Sequence, residues 1–229
     1  FSPVWKDYLE YLHKRWLTDD VIRMYKLWFA TNSYEFIAKA QREWYTKEEI
    51  ISFGIFSEAG HDKFYKRIMF PLIDYRWFIV GFTWRSLDSD PKYLNSSRSP
   101  IYDKSTFLYW LDKAKPFIGP TNAIVLVEWQ MDTIAMQTND VQHTVWVSWT
   151  AFTEEHVIIL ERLMPNIWRR VVLWFDSDEA WIKATKRAID MLSSKFEISV
   201  MRSKLWKDAS EHFQIGWKVS DFELISDTD

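Results

Sequence analysis

The sequence predicts an α/β fold in which helices flank an open parallel β-sheet, preceded by a mixed α+β unit. In the second half of the 229-residue chain, four short apolar runs alternate with helical stretches, a pattern typical of a parallel sheet covered on both faces. In the first half, short helical stretches give way to two β-rich runs. The unit that precedes the open sheet is therefore expected to be mixed.

The first predicted domain extends to about residue 119 and begins with short helices between residues 5 and 58. Thr46 and Glu49 have the spacing of a capping box ahead of an apolar run. The runs RIMFPLIDY and WFIVGFT follow and predict a hairpin-like pair of strands. The polar segment DSDPKYLNSSRSP, which comes next, is expected to form a long loop.

The second predicted domain covers residues 120–215. Its predicted strands are AIVLV, HTVWV, VVLWF and EISVM. The helices between them are expected at 131–139, 153–164 and 179–193, with Thr153 and Asp178 as N-cap residues. The range 216–229 is expected to be a loosely ordered acidic tail, or the start of a truncated helical subdomain.

Composition restricts the kinds of site that the chain can hold. It has no cysteine, and its five histidines lack ligand-like spacing, so any metal must be bound by oxygen atoms. Residues 1–120 carry 18 Lys/Arg against 15 Asp/Glu, which leaves 11 against 17 for the remainder. Net charges of +3 and −6 suit a polyanion surface beside a cation site. No apolar run approaches the ~18 residues of a membrane helix, so a cytoplasmic protein is expected.

Acidic side chains follow two of the predicted strands. Glu128 comes directly after AIVLV, and Asp176 and Asp178 come just after VVLWF. Ligands of open α/β sheets bind beyond the carboxyl ends of the strands, and converging carboxylates suit Mg²⁺. Such an ion keeps positions open for phosphate oxygens, as nucleotidyl transfer requires. The alternative is that an Asp after a strand only caps the next helix.

The segments LVEWQMD, SWTAFTEEH and WFDSDEAW resemble the TOPRIM signature of bacterial DnaG-type DNA primases. Upstream, KRIMFPLIDYRWFIVGFTWR, PKYLNSSRSPIYDK and FLYWLDKAK resemble the basic subdomain of the same catalytic core. YLHKRWLTDD and KLWFATNS resemble its helical entry segment. The resemblance covers nearly the whole chain in order, and implies an enzyme that makes short RNA primers on single-stranded DNA by metal-dependent nucleotidyl transfer.

The resemblance also implies roles for individual residues. Glu128 would be the general acid/base or the residue that organises the metal, with Asp132 supporting its turn. The ligands of Mg²⁺, or alternatively Mn²⁺, would be Glu128, Asp176, Asp178 and Asp208. Template and nucleotide contacts are implied at Arg67, Arg85, Lys92, Tyr93, Asn95 and Lys104. The alternative for these basic residues is an ordinary solvated surface, although residues 63–104 have eight basic and four acidic side chains.

The implied partners are a single-stranded DNA template, ribonucleoside triphosphates and the RNA–DNA hybrid product. A replicative helicase is implied as well, bound through a domain expected to lie outside this sequence, and no membrane partner is expected. The location would be the bacterial cytoplasm, at nucleoid-associated replication forks. Two alternatives stay open: another TOPRIM phosphotransferase, such as a nuclease or a topoisomerase piece, and an inactive module that binds single-stranded DNA.

Tryptophan is abundant and glycine is scarce. The chain has 15 Trp and 5 Gly, whereas ordinary usage of about 7% Gly would give roughly 16. All but three of the tryptophans, Trp5, Trp174 and Trp217, stand where the primase family or simple turn geometry favours glycine: Trp16, Trp28, Trp44, Trp77, Trp84, Trp110, Trp129, Trp146, Trp149, Trp168, Trp181 and Trp206. One hypothesis is that UGA codons meaning glycine have been translated as tryptophan. The other is that the rings form platforms for base stacking.

Overall fold

The computed structural model of the chain describes residues 3–31, 34–52, 56, 62–88, 93–147, 152–174, 179–202, 213 and 223–226. By internal contacts the chain divides into two units. Unit 1 comprises Phe1–Leu72 and Ile79–Ser99, and unit 2 comprises Ile73–Phe78 and Pro100–Asp229. The domain limits expected from the sequence, near residues 119 and 215, stay a prediction.

The described residues of unit 1 form four helices and a four-stranded sheet. The helices are α1 (Pro3–Lys14), α2 (Asp19–Met24), α3 (Tyr34–Arg42) and α4 (Lys47–Ser52). The strands are β1 (Trp28–Ala30), β2 (Arg67–Ile73), β3 (Ile79–Arg85) and β4 (Tyr93–Asn95), in the spatial order β1-β2-β3-β4. The predicted pair of strands is confirmed as β2 and β3, which are neighbours in this sheet.

Apolar and capping contacts hold unit 1 together. On α1, Tyr8 is buried against Phe29 of β1, with ring centroids 3.8 Å apart. The predicted capping box is confirmed at α4: the Thr46 N–H donates to Glu49 Oε2 over 2.7 Å, and the Glu49 N–H donates to Thr46 Oγ1 over 3.2 Å. The two Thr46 donors lower the pKa of the Glu49 carboxyl. The capping box therefore pairs the N–H groups of Thr46 and Glu49, which would otherwise lack a partner within the helix.

The prediction of a long loop after β3 was wrong at Tyr93–Asn95, which forms β4. This strand is antiparallel to β3, with Tyr93 opposite Arg85 and Asn95 opposite Thr83. An edge strand is held by backbone hydrogen bonds along one side, so polar side chains do not prevent its pairing. The polar composition of the segment therefore concealed a strand.

Unit 2 contains a mostly parallel five-stranded sheet with helices between its strands. The strands are β5 (Ala123–Val127), β6 (Thr144–Trp146), β7 (Arg170–Trp174), β8 (Glu197–Arg202) and β9 (Glu223–Ser226). The helices are α5 (Leu111–Thr121), α6 (Gln130–Thr138), α7 (Glu154–Leu163) and α8 (Glu179–Leu192). Four strands and three helices of the predicted α/β domain are confirmed to within two residues at each end.

The spatial order of this sheet is β6-β5-β7-β8-β9. The first four strands are mutually parallel, and β9 is antiparallel to β8. The expectation that the acidic C-terminal stretch is loosely ordered was wrong at β9, whose Ile225 lies opposite Val200. Its two apolar residues, Leu224 and Ile225, lie opposite Met201 and Val200 of β8, so this short segment pairs despite its acidic neighbours.

Helices cover the parallel strands because those strands are apolar on both faces. Leu126 of β5 and Leu173 of β7 are fully buried, and they pack in one cluster with Leu160 of α7 and Leu192 of α8. Burying one such leucine side chain stabilises the fold by about 1.5–3 kcal/mol. Among the helices of the described ranges, none has the length and apolar character needed to cross a membrane.

The predicted N-cap of α7 is confirmed. The Thr153 N–H donates to His156 Nδ1 over 3.2 Å, which forms a capping box. Thr153 Oγ1 also donates to the carbonyl of Ser105 over 2.7 Å. The α7 N-terminus is therefore tied to the segment that precedes α5. The other predicted N-cap, Asp178, lies outside the described residues.

Candidate catalytic edge and nucleic-acid surface

Glu128 lies at the point where the strand order of the unit 2 sheet reverses. It is the first residue after β5, and it is half-buried. The next strand in the chain, β6, lies on one side of β5, whereas β7 lies on the other. Such a switch point leaves a crevice beyond the carboxyl ends of the strands, where open α/β sheets bind ligands.

Asp132 lies in the first turn of α6, four residues after Glu128 in the chain. Its side chain is buried, with 2% of the residue exposed. An acidic side chain near a helix N-terminus interacts favourably with the exposed N–H groups and the helix dipole. The position suits a residue that holds the Glu128 turn, and that role stays a prediction.

The remaining predicted metal ligands, Asp176, Asp178 and Asp208, lie outside the described residues. The strands that lead to them are described. Leu173 of β7 is paired in parallel with Leu126 of β5, and β7 ends at Trp174, two residues before Asp176. Within the described ranges, no three His, Asp or Glu side chains are grouped closely enough to hold a metal ion. The metal-ligand set therefore stays a prediction.

In unit 1, the Arg85 side chain is enclosed by two tyrosine rings. Its guanidinium carbon lies 5.3 Å from the centroid of the Tyr11 ring and 4.7 Å from that of the Tyr93 ring. Arg85 Nη1 also donates a hydrogen bond to the Tyr93 hydroxyl. Stacking on two rings holds the guanidinium plane in one orientation. Of the predicted nucleic-acid residues, Arg85 and Tyr93 are thus brought into direct contact.

Two further residues belong to this cluster and were missed in the sequence. Tyr11 comes from α1, and its ring contacts a second arginine besides Arg85. The Arg15 guanidinium carbon lies 5.8 Å from the Tyr11 ring centroid. Their i, i+4 spacing brings the two side chains together on a helical turn. That spacing in YLHKR is the signal that could have identified them. Tyr11, Arg15, Arg85 and Tyr93 together form what we call the arginine–tyrosine cluster.

Several polar atoms around the arginine–tyrosine cluster are buried without a hydrogen-bond partner among the described residues. They are the Tyr11 hydroxyl, Arg85 Nε and Asn95 Oδ1. Asn95 lies two residues after Tyr93 on β4, so both side chains point to the same face of the sheet. Buried polar groups are normally paired. Three such atoms on one face therefore favour a site that is completed by a polar ligand.

The other predicted nucleic-acid residues are distributed over both units. Arg67 is the first residue of β2, is half-buried, and lies near the Tyr8 hydroxyl. Burial and the negative charge of Asp88 raise the pKa of this hydroxyl, and the positive charge of Arg67 opposes the rise. Lys104 is exposed and belongs to unit 2. Lys92 lies outside the described residues.

A buried histidine stabilises the start of α7. His156 is 0% exposed, and its ring is stacked on that of Phe152 with centroids 5.2 Å apart. Burial lowers the pKa of His156 to about 4, against the smaller opposing effects of the Phe107 backbone, Asp103 and the Lys104 backbone. Since Nδ1 accepts from the Thr153 N–H, the ring is neutral at physiological pH.

Comparison with known proteins first defines the class of the fold. The profile described as "Toprim-like" matches residues 125–213, which include the strands that meet at the Glu128 switch point. The profile described as "DNA primase catalytic core, N-terminal domain" matches residues 2–115. The two profiles follow each other along the chain in the order of its two predicted domains.

Individual relatives agree with the profiles. A DNA primase of Deinococcus radiodurans is 33% identical over 216 residues, which cover 91% of this chain and 37% of that protein. The RNA polymerase domain of the Mycobacterium tuberculosis primase DnaG superposes with a TM-score of 0.81 at 27% identity, covering 92% of this chain and 72% of that one. A DnaG primase catalytic domain solved bound to single-stranded DNA has a TM-score of 0.78 at 27% identity, with coverages of 96% and 73%.

This chain belongs to the DnaG-type DNA primase family and corresponds to part of its catalytic core. A DNA primase of Lactococcus lactis, 34% identical over 190 residues, is matched over 29% of its length. The chain thus spans about a third of the length of the curated relatives that it matches.

Proposed function

We propose that this chain forms the catalytic core of a bacterial primase that synthesises short RNA primers on single-stranded DNA during replication. The observation that carries the proposal is Glu128 at the switch point of the Toprim-like sheet, beside the strand whose sequence continues into Asp176 and Asp178. The reaction is template-directed joining of ribonucleoside triphosphates, a nucleotidyl transfer that releases pyrophosphate.

Magnesium is the proposed metal, with manganese as an alternative. Every proposed ligand, Glu128, Asp176, Asp178 and Asp208, is a carboxylate, and the chain has no cysteine, which fits a hard cation that prefers oxygen. When bound, the metal supplies positive charge for activating the attacking hydroxyl and for stabilising the leaving pyrophosphate. Ser210 stands where the family resemblance implies a further carboxylate, so the second acidic segment would have a smaller ligand set.

The protein's own residues would divide the work between the two units. Glu128 would act as the general acid/base or would organise the metal, and buried Asp132 would hold the turn that presents Glu128. In unit 1, Arg67, Arg85 and Lys92 would neutralise phosphates, and Lys104 of unit 2 would do the same. Tyr93 contributes a ring for base stacking, and Asn95 positions sugar or backbone groups.

The arginine–tyrosine cluster supports this DNA-binding role. Its rings hold Arg85 in a fixed plane, and buried polar atoms around it lack partners among the described residues. The related catalytic domain solved with single-stranded DNA supports the same partner class. The RNA–DNA hybrid product would occupy the same surface as it grows. Helicase contact would be made by another part of the longer protein, at cytoplasmic replication forks.

The test uses primer synthesis and DNA binding on the same variants. Glu128→Gln and Asp176→Ala should abolish incorporation of labelled ribonucleotides on a single-stranded template, while affinity for single-stranded DNA stays within about two-fold. Glu155→Gln, which changes an exposed acid on α7, is the matched control and should retain synthesis. Full synthesis by both site variants would overturn the proposal. Cleavage of plain DNA without ribonucleotides would instead favour the nuclease alternative.

A further inference from the structure

Left-handed backbone positions in this chain are occupied by tryptophan. Of the eight described non-glycine residues with positive φ, four are tryptophans: Trp16 at 65°, Trp44 at 70°, Trp77 at 71° and Trp110 at 55°. With 15 Trp in 229 residues, eight positions chosen without preference would include one tryptophan or none. A side chain with a Cβ is strained in this region, and glycine is not.

The glycines among the described residues do not use this freedom. Gly81 lies in β3 and Gly119 in α5, and neither has a φ in the left-handed region. The residue type that fits left-handed backbone without strain therefore stands elsewhere among the described residues. Four of the eight left-handed positions instead carry the largest side chain of all.

Trp16 occupies the position of a helix ending that is most often glycine. The Trp16 N–H donates to the His13 carbonyl over 2.9 Å, and the Leu17 N–H donates to the Leu12 carbonyl over 3.1 Å. These two bonds form the Schellman motif, in which the residue between the last helical turn and the following apolar contact is left-handed. Leu12 and Leu17 are both buried and supply that contact. The backbone of Trp16 is thus set by the motif and not by its own side chain.

The end of α3 repeats this arrangement. The Trp44 N–H donates to the Gln41 carbonyl over 3.2 Å, and the Tyr45 N–H donates to the Ala40 carbonyl over 3.1 Å. Trp44 is 92% exposed. A ring in solvent offers no packing energy that could offset a strained backbone. Two independent helix endings therefore place tryptophan at the same glycine position.

Trp77 closes the tight turn between β2 and β3. The Trp77 N–H donates to the Asp74 carbonyl over 3.0 Å, and the Asp74 N–H donates to the Phe78 carbonyl over 2.9 Å. A three-residue hairpin loop of this kind ends in a left-handed residue, usually glycine. Trp77 is 62% exposed, so this ring also lacks an apolar environment.

Two other tryptophans provide the contrast. Trp174 lies in β7 with 1% of its surface exposed. Trp5 lies in α1 with its ring centroid 6.0 Å from that of Phe29. Neither has a positive φ. They occupy ordinary helix and strand backbone and make aromatic or core contacts, as tryptophan normally does.

A shared base-stacking surface does not explain the left-handed set. Trp16 follows α1, Trp44 follows α3, and Trp77 lies in the β2–β3 turn. Side chains on one stacking platform come from one sheet face or one groove, whereas these come from the ends of separate elements. Backbone geometry is what they have in common.

We infer that residues 16, 44, 77 and 110 are glycine in the protein made by its own cells, because UGA codons at these positions are decoded there by a tRNA charged with glycine. Trp5 and Trp174 are encoded by UGG and are tryptophan. The decoding partner is therefore a glycyl-tRNA whose anticodon pairs with UGA. This inference does not depend on the proposed enzymatic activity.

The direct test is to sequence the gene and to determine the residues present in the native protein. UGA is expected at codons 16, 44, 77 and 110, with UGG at codons 5 and 174. Peptide mass spectrometry of the protein purified from its source cells should find glycine at each of the four positions. UGG at these codons, or tryptophan in the native peptides, would overturn the inference.

A second test measures the strain directly in recombinant variants. Trp16→Gly, Trp44→Gly and Trp77→Gly should each raise Tm by about 2–4 °C. Trp16→Ala removes the same exposed ring but keeps the Cβ, so its Tm should stay below that of Trp16→Gly. Trp174→Gly removes a buried ring and should lower Tm. Trp110 is buried and is left out of the series, because its removal leaves a cavity. Equal Tm values for the Gly and Ala variants at position 16 would contradict the inference.

Discussion

The sheets of the two units differ in how their strands meet solvent. In unit 2, the central strands β5 and β7 are buried at four of five positions each, and only their ends are available to a ligand. In unit 1, all three residues of β4 are half-buried, and one of them, Tyr93, belongs to the arginine–tyrosine cluster. Chemistry in unit 2 is therefore confined to strand ends, whereas unit 1 offers a sheet face.

The largest expected effect tests whether the unit 2 sheet acts only as a scaffold. Leu173→Ala should lower the free energy of unfolding by about 2–5 kcal/mol, because it leaves a cavity among fully buried neighbours. Urea denaturation followed by circular dichroism measures the change. Ile167→Ala is the matched control, since Ile167 is 89% exposed, and its effect should stay within about 0.5 kcal/mol. Equal effects of the two substitutions would show that the described core does not carry the stability.

An intermediate effect is expected from acid. His156 has a folded pKa of about 4, below the ~6.5 of an unfolded chain. The unfolded state therefore binds the proton first. The stabilising contribution of the neutral ring is fully present above pH ~6.5 and is lost as pH falls towards 4. The loss amounts to about 3 kcal/mol.

Denaturation midpoints between pH 7 and pH 4 measure this dependence. His156→Gln should flatten the curve over that window, even if it lowers stability throughout. Ile167→Ala, which changes an exposed side chain without a titrating group, should leave the slope unchanged. A slope that survives in His156→Gln would assign the acid sensitivity to other groups.

The smallest effect concerns the unit 1 sheet face. Arg85→Ala should weaken binding of single-stranded DNA about 5- to 30-fold and reduce the salt slope by about one charge. Arg85→Lys keeps the charge but loses the planar stacking on Tyr11 and Tyr93. It should restore the salt slope more than the affinity. Fluorescence anisotropy over a salt series measures both quantities.

Arg23→Ala is the control for charge alone, since Arg23 is exposed and paired with Asp20. Its affinity for single-stranded DNA should match that of the unchanged protein. If Arg23→Ala and Arg85→Ala weaken binding equally, the sheet face has no special role and the difference between the two units disappears.

The unit 2 architecture could be predicted from the sequence because its strands are continuous apolar runs. AIVLV and VVLWF have no polar interruption, and Thr153 marks the start of α7. A strand that is buried on both faces needs apolar side chains at every position, so such runs predict a covered sheet. The helices between the strands predict that the strands are parallel. The position of Glu128 at a strand end followed from the same pattern.

The less regular parts could not be predicted because pairing partners, and not composition, determine them. β4 and β9 are short edge strands whose hydrogen bonds come from β3 and β8. The contact of Tyr11 with Arg85 joins residues far apart in the chain, which no local pattern encodes. Asp176, Asp178 and Asp208 lie outside the described residues, so the resemblance remains the basis for their role.

The path of the chain between the units has a practical consequence for limited proteolysis. Ile73, the last residue of β2, and the turn that follows it to Phe78 belong to unit 2, although unit 1 residues precede and follow them. The polypeptide thus passes from one unit to the other three times, after residues 72, 78 and 99. The first crossing lies inside the buried strand β2, but a single protease cut after residue 78 or 99 leaves two fragments that both contribute to one unit. Such fragments should co-purify under native conditions and separate only in denaturant.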